Sequence, residues 1–251
     1  MKKITLLFIG IFFTIINAYS NENFALQNSN DKTYTILFDL NEIELEQSGS
    51  YTKIITNTKG ETSIIGMPKL PQFSTMIMLD PENIYNISYN VTKSHIISNI
   101  DIIPNQNILK GLEKEEIQIV DKDFYNSNIN YPYENIVMSA PMIMRDMVLS
   151  SISIIPFNYN PKNRELEVFE NIEVQIFEVG PSDDPIIRNM PKSYVFENIY
   201  KNKIINYDIN SRDREYQQPA ILYICSSTLE NNSTFQELVQ WRRERGYVVY
   251  T

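Results

Sequence analysis

A thiol becomes a nucleophile when an imidazole within hydrogen-bond reach takes its proton, and the chain carries one cysteine, Cys225, and one histidine, His95. The two sit in stretches of different character. Cys225 ends the apolar run Ala220 to Cys225 (AILYIC), the pattern of a strand buried on both faces, and reads as a structural cysteine. His95, between Ser94 and Ile96, reads as a surface residue at a strand end. The pair therefore makes no dyad. A lone cysteine forms no intramolecular disulfide, and one Cys with one His is too few for a four-ligand zinc site. The phosphate cradles G-x-G-x-x-G and the P-loop do not occur in the sequence, so no nucleotide cofactor is expected. Carboxylates are scattered along polar strand faces without a pair suited to glycoside chemistry. The tyrosines read as core rather than as a sugar-stacking platform. Arg145, in Pro141 to Met147 (PMIMRDM), stands alone among apolar residues and reads as paired or snorkelling. The expectation is a chain with no catalytic, cofactor-binding or metal-ligating residue of its own.

The elements around these residues are mostly strands, organised by Val148 to Glu178. Leu166, Val168, Ile172, Val174 and Ile176 fall on one side at period two, and Glu165, Glu167, Asn171, Glu173 and Gln175 on the other. That is a half-buried strand. Ile152 to Tyr159 is apolar and β-branched or aromatic, and Asn160 to Arg164 lies between. Pro161 presets φ for a turn and Asn163 tolerates a left-handed backbone, so a long β-hairpin is expected. A lone hairpin is marginal in water and needs a second sheet. Upstream candidates are Tyr34 to Leu40, Tyr51 to Thr56, Phe73 to Leu79 and Ile84 to Lys93, the last with Tyr85, Ile87, Tyr89 and Val91 on one face. Gly66 to Pro71 (GMPKLP) holds two prolines and reads as an extended edge or crossing segment. Asp121 to Asn135 reads as loop. Short strands at this spacing predict an antiparallel β-sandwich or barrel.

The chain has 251 residues, 43% of them hydrophobic, enough for a packed core. The net charge of −9 and pI near 4.8 argue against binding a nucleic-acid backbone, which needs clustered Lys and Arg. Residues 1–20 read as a secretory signal peptide: Lys2 and Lys3, an apolar run from Ile4 to Ile16, and the small-x-small site Ala18-Tyr19-Ser20. The apolar run is short for a membrane span. A secreted or cell-surface protein with no membrane span after signal cleavage is expected, and the near absence of cysteine suits a bacterial envelope.

Composition shifts after Glu178. Gly180 to Pro185 is a breaker cluster. Residues 181–218 read as a linker with a helix near Ser193 to Ile204 and basic residues that include Arg188, Arg212 and Arg214. The polar run Ser211 to Glu215 is a setting for proteolytic nicking. Pro219 then opens a strand over Ala220 to Cys225, a helix with Phe235, Leu238 and Val239 on one face, a stop at Gly246, and a strand over Tyr247 to Tyr250. Ser233 or Thr234 is expected as the helix cap. Strand–helix–strand is the opening of a parallel α/β domain, here expected to be cut short at Thr251.

These stretches resemble the N-terminal part of gingipain-like cysteine peptidases (peptidase family C25). Gly66 to Pro71 followed by Phe73 to Pro81 is similar to that family's entry into a strand. Ile152 to Ile176, with Pro156, Tyr159-Asn160-Pro161, Leu166-Glu167-Val168 and Asn171-Ile172, is similar to the closing hairpin of the propeptide. Ala220 to Thr251, with Trp241-Arg242-Arg243 and Gly246-Tyr247, resembles the start of the catalytic domain. The resemblance implies a mainly β fold: a signal peptide at 1–20, a β-sandwich propeptide at 21–180, a processed linker at 181–218, and at 219–251 the β-α-β start of a caspase-like α/β domain. It implies that the propeptide assists folding and covers the active-site cleft of its own catalytic domain, the intramolecular partner, until cut. Arg212, Arg214 and Arg188 are the candidate processing sites. Protein substrates would belong to the full-length enzyme. The catalytic His and Cys of such peptidases lie beyond the second strand, so His95 and Cys225 inherit no role. Two alternatives stand beside this one: a secreted non-enzymatic β-sandwich that binds a protein or glycan, and a type IX secretion accessory protein.

Overall fold

The computed structural model describes residues 22–29, 32–106, 119–145, 147–186, 192–207 and 216–251. In chain order the strands and helices are β1 (Phe24–Ser29), β2 (Thr33–Asp39), β3 (Glu44–Ser48), β4 (Tyr51–Ile55), β5 (Phe73–Met78), β6 (Asn83–Ser98), α1 (Lys122–Tyr125), β7 (Ile136–Met138), β8 (Met142–Met144), β9 (Met147–Ile154), β10 (Phe157–Asn160), β11 (Glu165–Pro181), β12 (Lys192–Ser193), α2 (Glu197–Lys203), β13 (Tyr216–Gln217), β14 (Ala220–Leu222), α3 (Ser227–Glu230), α4 (Ser233–Glu244) and β15 (Val248–Tyr250).

The alternating segment is the axis of the first sheet. β11 pairs antiparallel with β6 along its whole length, and on its other side with β10 and then with β2, which carries β1. Leu166, Val174 and Ile176 have no exposed surface, and Val168 and Ile172 have 1%. One even-numbered position breaks the pattern. The pairing skips Glu170, where a bulge turns its carboxylate outward and gives the buried place to Phe169.

The second sheet is built around β9, flanked by β5 on one side and by β7 and β8 on the other, all antiparallel. The sequence reading of one long hairpin from Val148 to Glu178 is corrected here. β9 lies in the second sheet and β10 in the first, and the chain changes sheets at Ile155-Pro156. Proline donates no ladder hydrogen bond, so it suits the corner where a strand leaves one sheet for another. The true hairpin is β10–β11, four residue pairs from Phe157↔Val168 to Asn160↔Glu165. Its left-handed residue is Arg164 at φ +54, not Asn163. Asn163 instead donates its backbone N–H to the Asn160 side chain at 3.0 Å.

The two sheets share one apolar core, in which Phe38 of β2 meets Phe73 of β5 edge-on with ring centroids 5.1 Å apart. β9 is buried on both faces. Ile152 and Ile154 point into the shared core, while Met147 and Leu149 meet Tyr200, Ile204 and Tyr207 on the opposite face. The helix expected near Ser193 to Ile204 is α2, and it covers that second face. Asn206 completes the docking: it accepts from the Met78 N–H at 2.8 Å and donates to the Met78 carbonyl at 2.6 Å. Each fully buried Ile or Leu contributes about 1.5–3 kcal/mol, so residues 197–207 are held by packing rather than strung loosely.

Asp121 to Asn135, read as loop, contains the single turn α1, capped by the Asp121 side chain accepting from Phe124 N–H at 2.9 Å. At the C-terminal end β14 and β15 pair in parallel, Ala220↔Val248 to Leu222↔Tyr250, with α4 between them in sequence. Gly246 ends α4 at φ +86. The cap of α4 is Asn232, which accepts from Thr234 N–H at 3.0 Å and Phe235 N–H at 3.3 Å. Burial of Ala220 to Cys225 on both faces does not hold: Leu222 is 65% and Ile224 92% exposed. The helix covers one face of this strand, and the described residues place no second layer on the other.

Candidate functional site

The described residues assemble no nucleophile. His95 lies on β6 at the surface, its Nδ1 2.7 Å from Glu170 Oε1, and Lys93 pairs with the other Glu170 oxygen. These two partners, Lys93 first, hold the Glu170 carboxyl below its usual range, and Glu170 in turn raises Lys93. Cys225 is a half-buried free thiol beside the small C-terminal cluster of Phe235, Val239 and Val249. Among the described residues no group of three or more His, Cys, Asp or Glu could hold a metal ion. The expectation that the tyrosines are core holds for Tyr85, Tyr131, Tyr159, Tyr200 and Tyr207, whereas Tyr89, Tyr133, Tyr216 and Tyr250 are exposed. Tyr125 and Tyr131 meet Phe124 edge-on with centroids 5.5 and 5.8 Å apart, and Tyr159 meets Tyr125 in a tilted contact at 6.4 Å. Burial pushes the Tyr159 phenol up to about 12.

Two constructions stand out instead. The first is a clamp at the base of residues 107–118. Gln106, 6% exposed, donates to the Ile119 carbonyl at 2.7 Å and accepts from the Ile119 N–H at 3.0 Å, so one side chain ties position 106 to position 119. Behind it lies the Gly-Met-Pro-Lys-Leu-Pro segment, which turns at Gly66 and bends at Met67 before Pro68 and Pro71 bridge to Pro104 and Glu61. Gly66 donates to the Asn105 carbonyl at 2.8 Å and accepts from Asp121 N–H at 3.0 Å. It sits at φ +81, with Asp121 N only 3.0 Å from where a Cβ would stand. Thr62 and Asn105 finish the network: Asn105 Nδ2 donates to the Thr62 carbonyl at 2.6 Å, and Thr62 Oγ1 donates to the Pro68 carbonyl at 2.8 Å.

The second construction surrounds Arg145, the isolated cation of the sequence. It turns the chain from β8 to β9 at φ +55. Its guanidinium lies over the Phe196 ring, 5.4 Å from the centroid, and donates to Gln217 Oε1. β12 and β13 pair in parallel beside it. The reading of Arg145 as a paired side chain therefore holds, but its partners lie far along the chain, where no local spacing could name them. Gln106 and Asn206 were likewise invisible, because a polar residue in a loop gives no sign of which distant backbone it will satisfy. The processing candidates Arg188, Arg212 and Arg214 and the signal peptide fall outside the described residues.

Two packed antiparallel sheets with a helix docked on the outer face of the second make up the β body of the described chain. The chain belongs to the Propeptide_C25 family, matched over residues 18–213. Among curated proteins it is similar to Gingipain R1 of Porphyromonas gingivalis, 24% identical over 234 residues that make up 90% of this chain and 23% of that protein. Gingipain R2 of the same organism is 24% identical over 88% of this chain and 31% of its own length. The chain thus spans about a quarter to a third of the curated relatives it matches. Among solved structures, a chain of the complex of Porphyromonas gingivalis RgpB pro- and mature domains shares the fold with a TM-score of 0.64 at 20% identity, covering 74% of this chain and 98% of that one. A chain from the structure of gingipain K described for zymogenic latency matches with a TM-score of 0.53 at 18% identity, over 62% and 92%.

Proposed function

We propose that this chain is the pro-region of a secreted gingipain-like cysteine endopeptidase, assisting its folding and covering the active-site cleft of the catalytic domain that follows it until cut. The observation that carries the proposal is the family match through residue 213. The fold covers nearly all of the solved pro-domain chain, which supports it. Residues 1–20 serve as the signal peptide, 21–180 as the covering domain, 181–218 as the connector, and 219–251 as the first strand, helix and second strand of the catalytic domain. The parallel β14–β15 pair supports this last assignment. A tethered cover needs little intrinsic affinity, because the tether sets a high effective concentration at the cleft. Release then requires a cut, assigned to the basic residues Arg188, Arg212 and Arg214, with Arg212 or Arg214 preferred.

Two measurements test the proposal. The chain added to the mature peptidase is expected to inhibit hydrolysis of a small peptide substrate in a saturable way, and no inhibition at any concentration refutes the covering role. N-terminal sequencing of the mature peptidase is expected to find a start just after Arg212 or Arg214. A start upstream of Pro185 refutes the processing assignment.

A further inference from the structure

We propose that the face of the second sheet beneath α2 is a methionine oxidation site, at which a peroxide acting on Met76, Met78 or Met144 loosens α2 from the sheet. The inference stands on the packing of this face alone and does not need the pro-region reading.

Five of the nine methionines of the chain share that face. Met147 and Leu149 of β9 point away from the shared core toward α2, and residues directly opposite one another across a ladder lie on the same side of the sheet. The register sets Met78 and Met142 opposite Leu149, Met144 opposite Met147, and Met76 opposite Ser151. Met76, Met78, Met144 and Phe196 pack against the cluster of Met147, Leu149, Tyr200, Ile204 and Tyr207. A thioether suits such aromatic neighbours. Leucine would fill nearly the same volume, but it carries no sulfur lone pair.

Exposure divides the five. Met142 is 37% exposed and lies outside the cluster, Met76, Met78 and Met144 are half-buried within it, and Met147 is 2% exposed beneath it. The middle set is both reachable by a small oxidant and packed against α2. In the reaction a sulfur lone pair takes one peroxide oxygen, the O–O bond breaks and the other oxygen leaves as water. The thioether is oxidised by two electrons and the peroxide is reduced by two. The product sulfoxide is a polar acceptor in place of a flexible apolar group, and it meets an apolar and aromatic surface. The Tyr207 hydroxyl is no donor for it, since it already donates to Glu197 Oε2 at 2.5 Å. The same residues also anchor the segment after α2. Ile205 N–H donates to the Met76 carbonyl at 2.8 Å, and Asn206 bonds the Met78 N–H and carbonyl.

The test exposes the full chain to graded hydrogen peroxide. Each methionine is read by peptide mass mapping, and α2 by hydrogen exchange and by trypsin cleavage at Lys201 and Lys203. Met142 is expected to oxidise first, without effect on α2. Oxidation of Met76, Met78 or Met144 is expected to speed exchange across residues 197–207 about ten- to a hundredfold. It should also open Lys201 and Lys203 to trypsin and only then admit oxidant to Met147, while β11 keeps its protection. Methionine sulfoxide reductases A and B together should restore the protection. A variant carrying Met76→Leu, Met78→Leu and Met144→Leu is expected to hold α2 and to keep Met147 reduced under the same treatment. Met78→Gln, polar and of similar length, should loosen α2 with no peroxide present. Four results each overturn the proposal: the half-buried three staying reduced when Met142 is fully oxidised, exchange over α2 unchanged once they are oxidised, Met147 oxidising in step with Met142, or α2 released as readily in the leucine variant. Protection lost along β11 together with α2 overturns it as well, because the event is then unfolding of the whole body.

Discussion

At the scale of single residues, Glu170 shows what a skipped ladder position can do. Period two assigns it to the dry face, and the bulge turns it out to meet Lys93 and His95. Because its folded pKa is lowered, its contribution to stability is present above its ordinary value near 4.5 and is lost as pH falls through the lower folded value. Lys93, raised by the same contact, holds its share below its ordinary 10.5 and loses it as pH rises through the higher folded value. Glu170→Gln is therefore expected to lower the thermal midpoint through the neutral range, with the two curves converging at both pH extremes. A Tm series against pH checks this, and added salt should shrink the gap because the cluster is exposed. Gly66 makes a different demand. Gly66→Ala places a side chain at φ +81 with backbone nitrogen at 3.0 Å, and is expected to cost about 1–2 kcal/mol, read as a fall in urea midpoint with unchanged slope.

At the scale of elements, α2 is the piece whose removal tells most. Tyr200 is fully buried against Met147 and Leu149, so Tyr200→Ala is expected to destabilise by about 3–5 kcal/mol. The loss should be local first. Hydrogen exchange is expected to speed up through residues 197–207 and along Met147 to Leu149, while Leu166 and Val174 in β11 keep their protection. The elements were unequally legible. β2, β5 and β11 announce themselves by period-two burial and turn residues, and α4 by its buried pair Phe235 and Val239. The corner at Pro156 did not, because an apolar run reads the same whether it stays in one sheet or crosses to another. The apolar run at Ala220 predicts burial that the described residues do not supply, since burial is a property of the neighbours and not of the strand. For the clamp and the Arg145 contacts, residue type gave the chemistry, but only the fold could name the partners.

At the scale of the whole molecule, three apolar clusters differ widely in size. The largest unites both sheets, the second lies under α2, and the third is confined to Phe235, Val239 and Val249 with a few half-buried neighbours. Stability is expected to be ranked accordingly. Hydrogen exchange across Ala220 to Tyr250 should run orders of magnitude faster than across β9 and β11, and uniform protection over the chain would contradict that ranking. The order of the strands along the chain has a temporal side as well. The middle strands of the two sheets, β9 and β11, come late, and Phe38 waits for Ile172 just as Phe73 waits for Ile154. A polypeptide threaded amino end first through an export channel would present β1 paired with β2, while β5 and β6 still wait for β9 and β11. Neither sheet can close until β9 and β11 have emerged, so the topology itself postpones folding of the β body until the chain is out as far as Pro181.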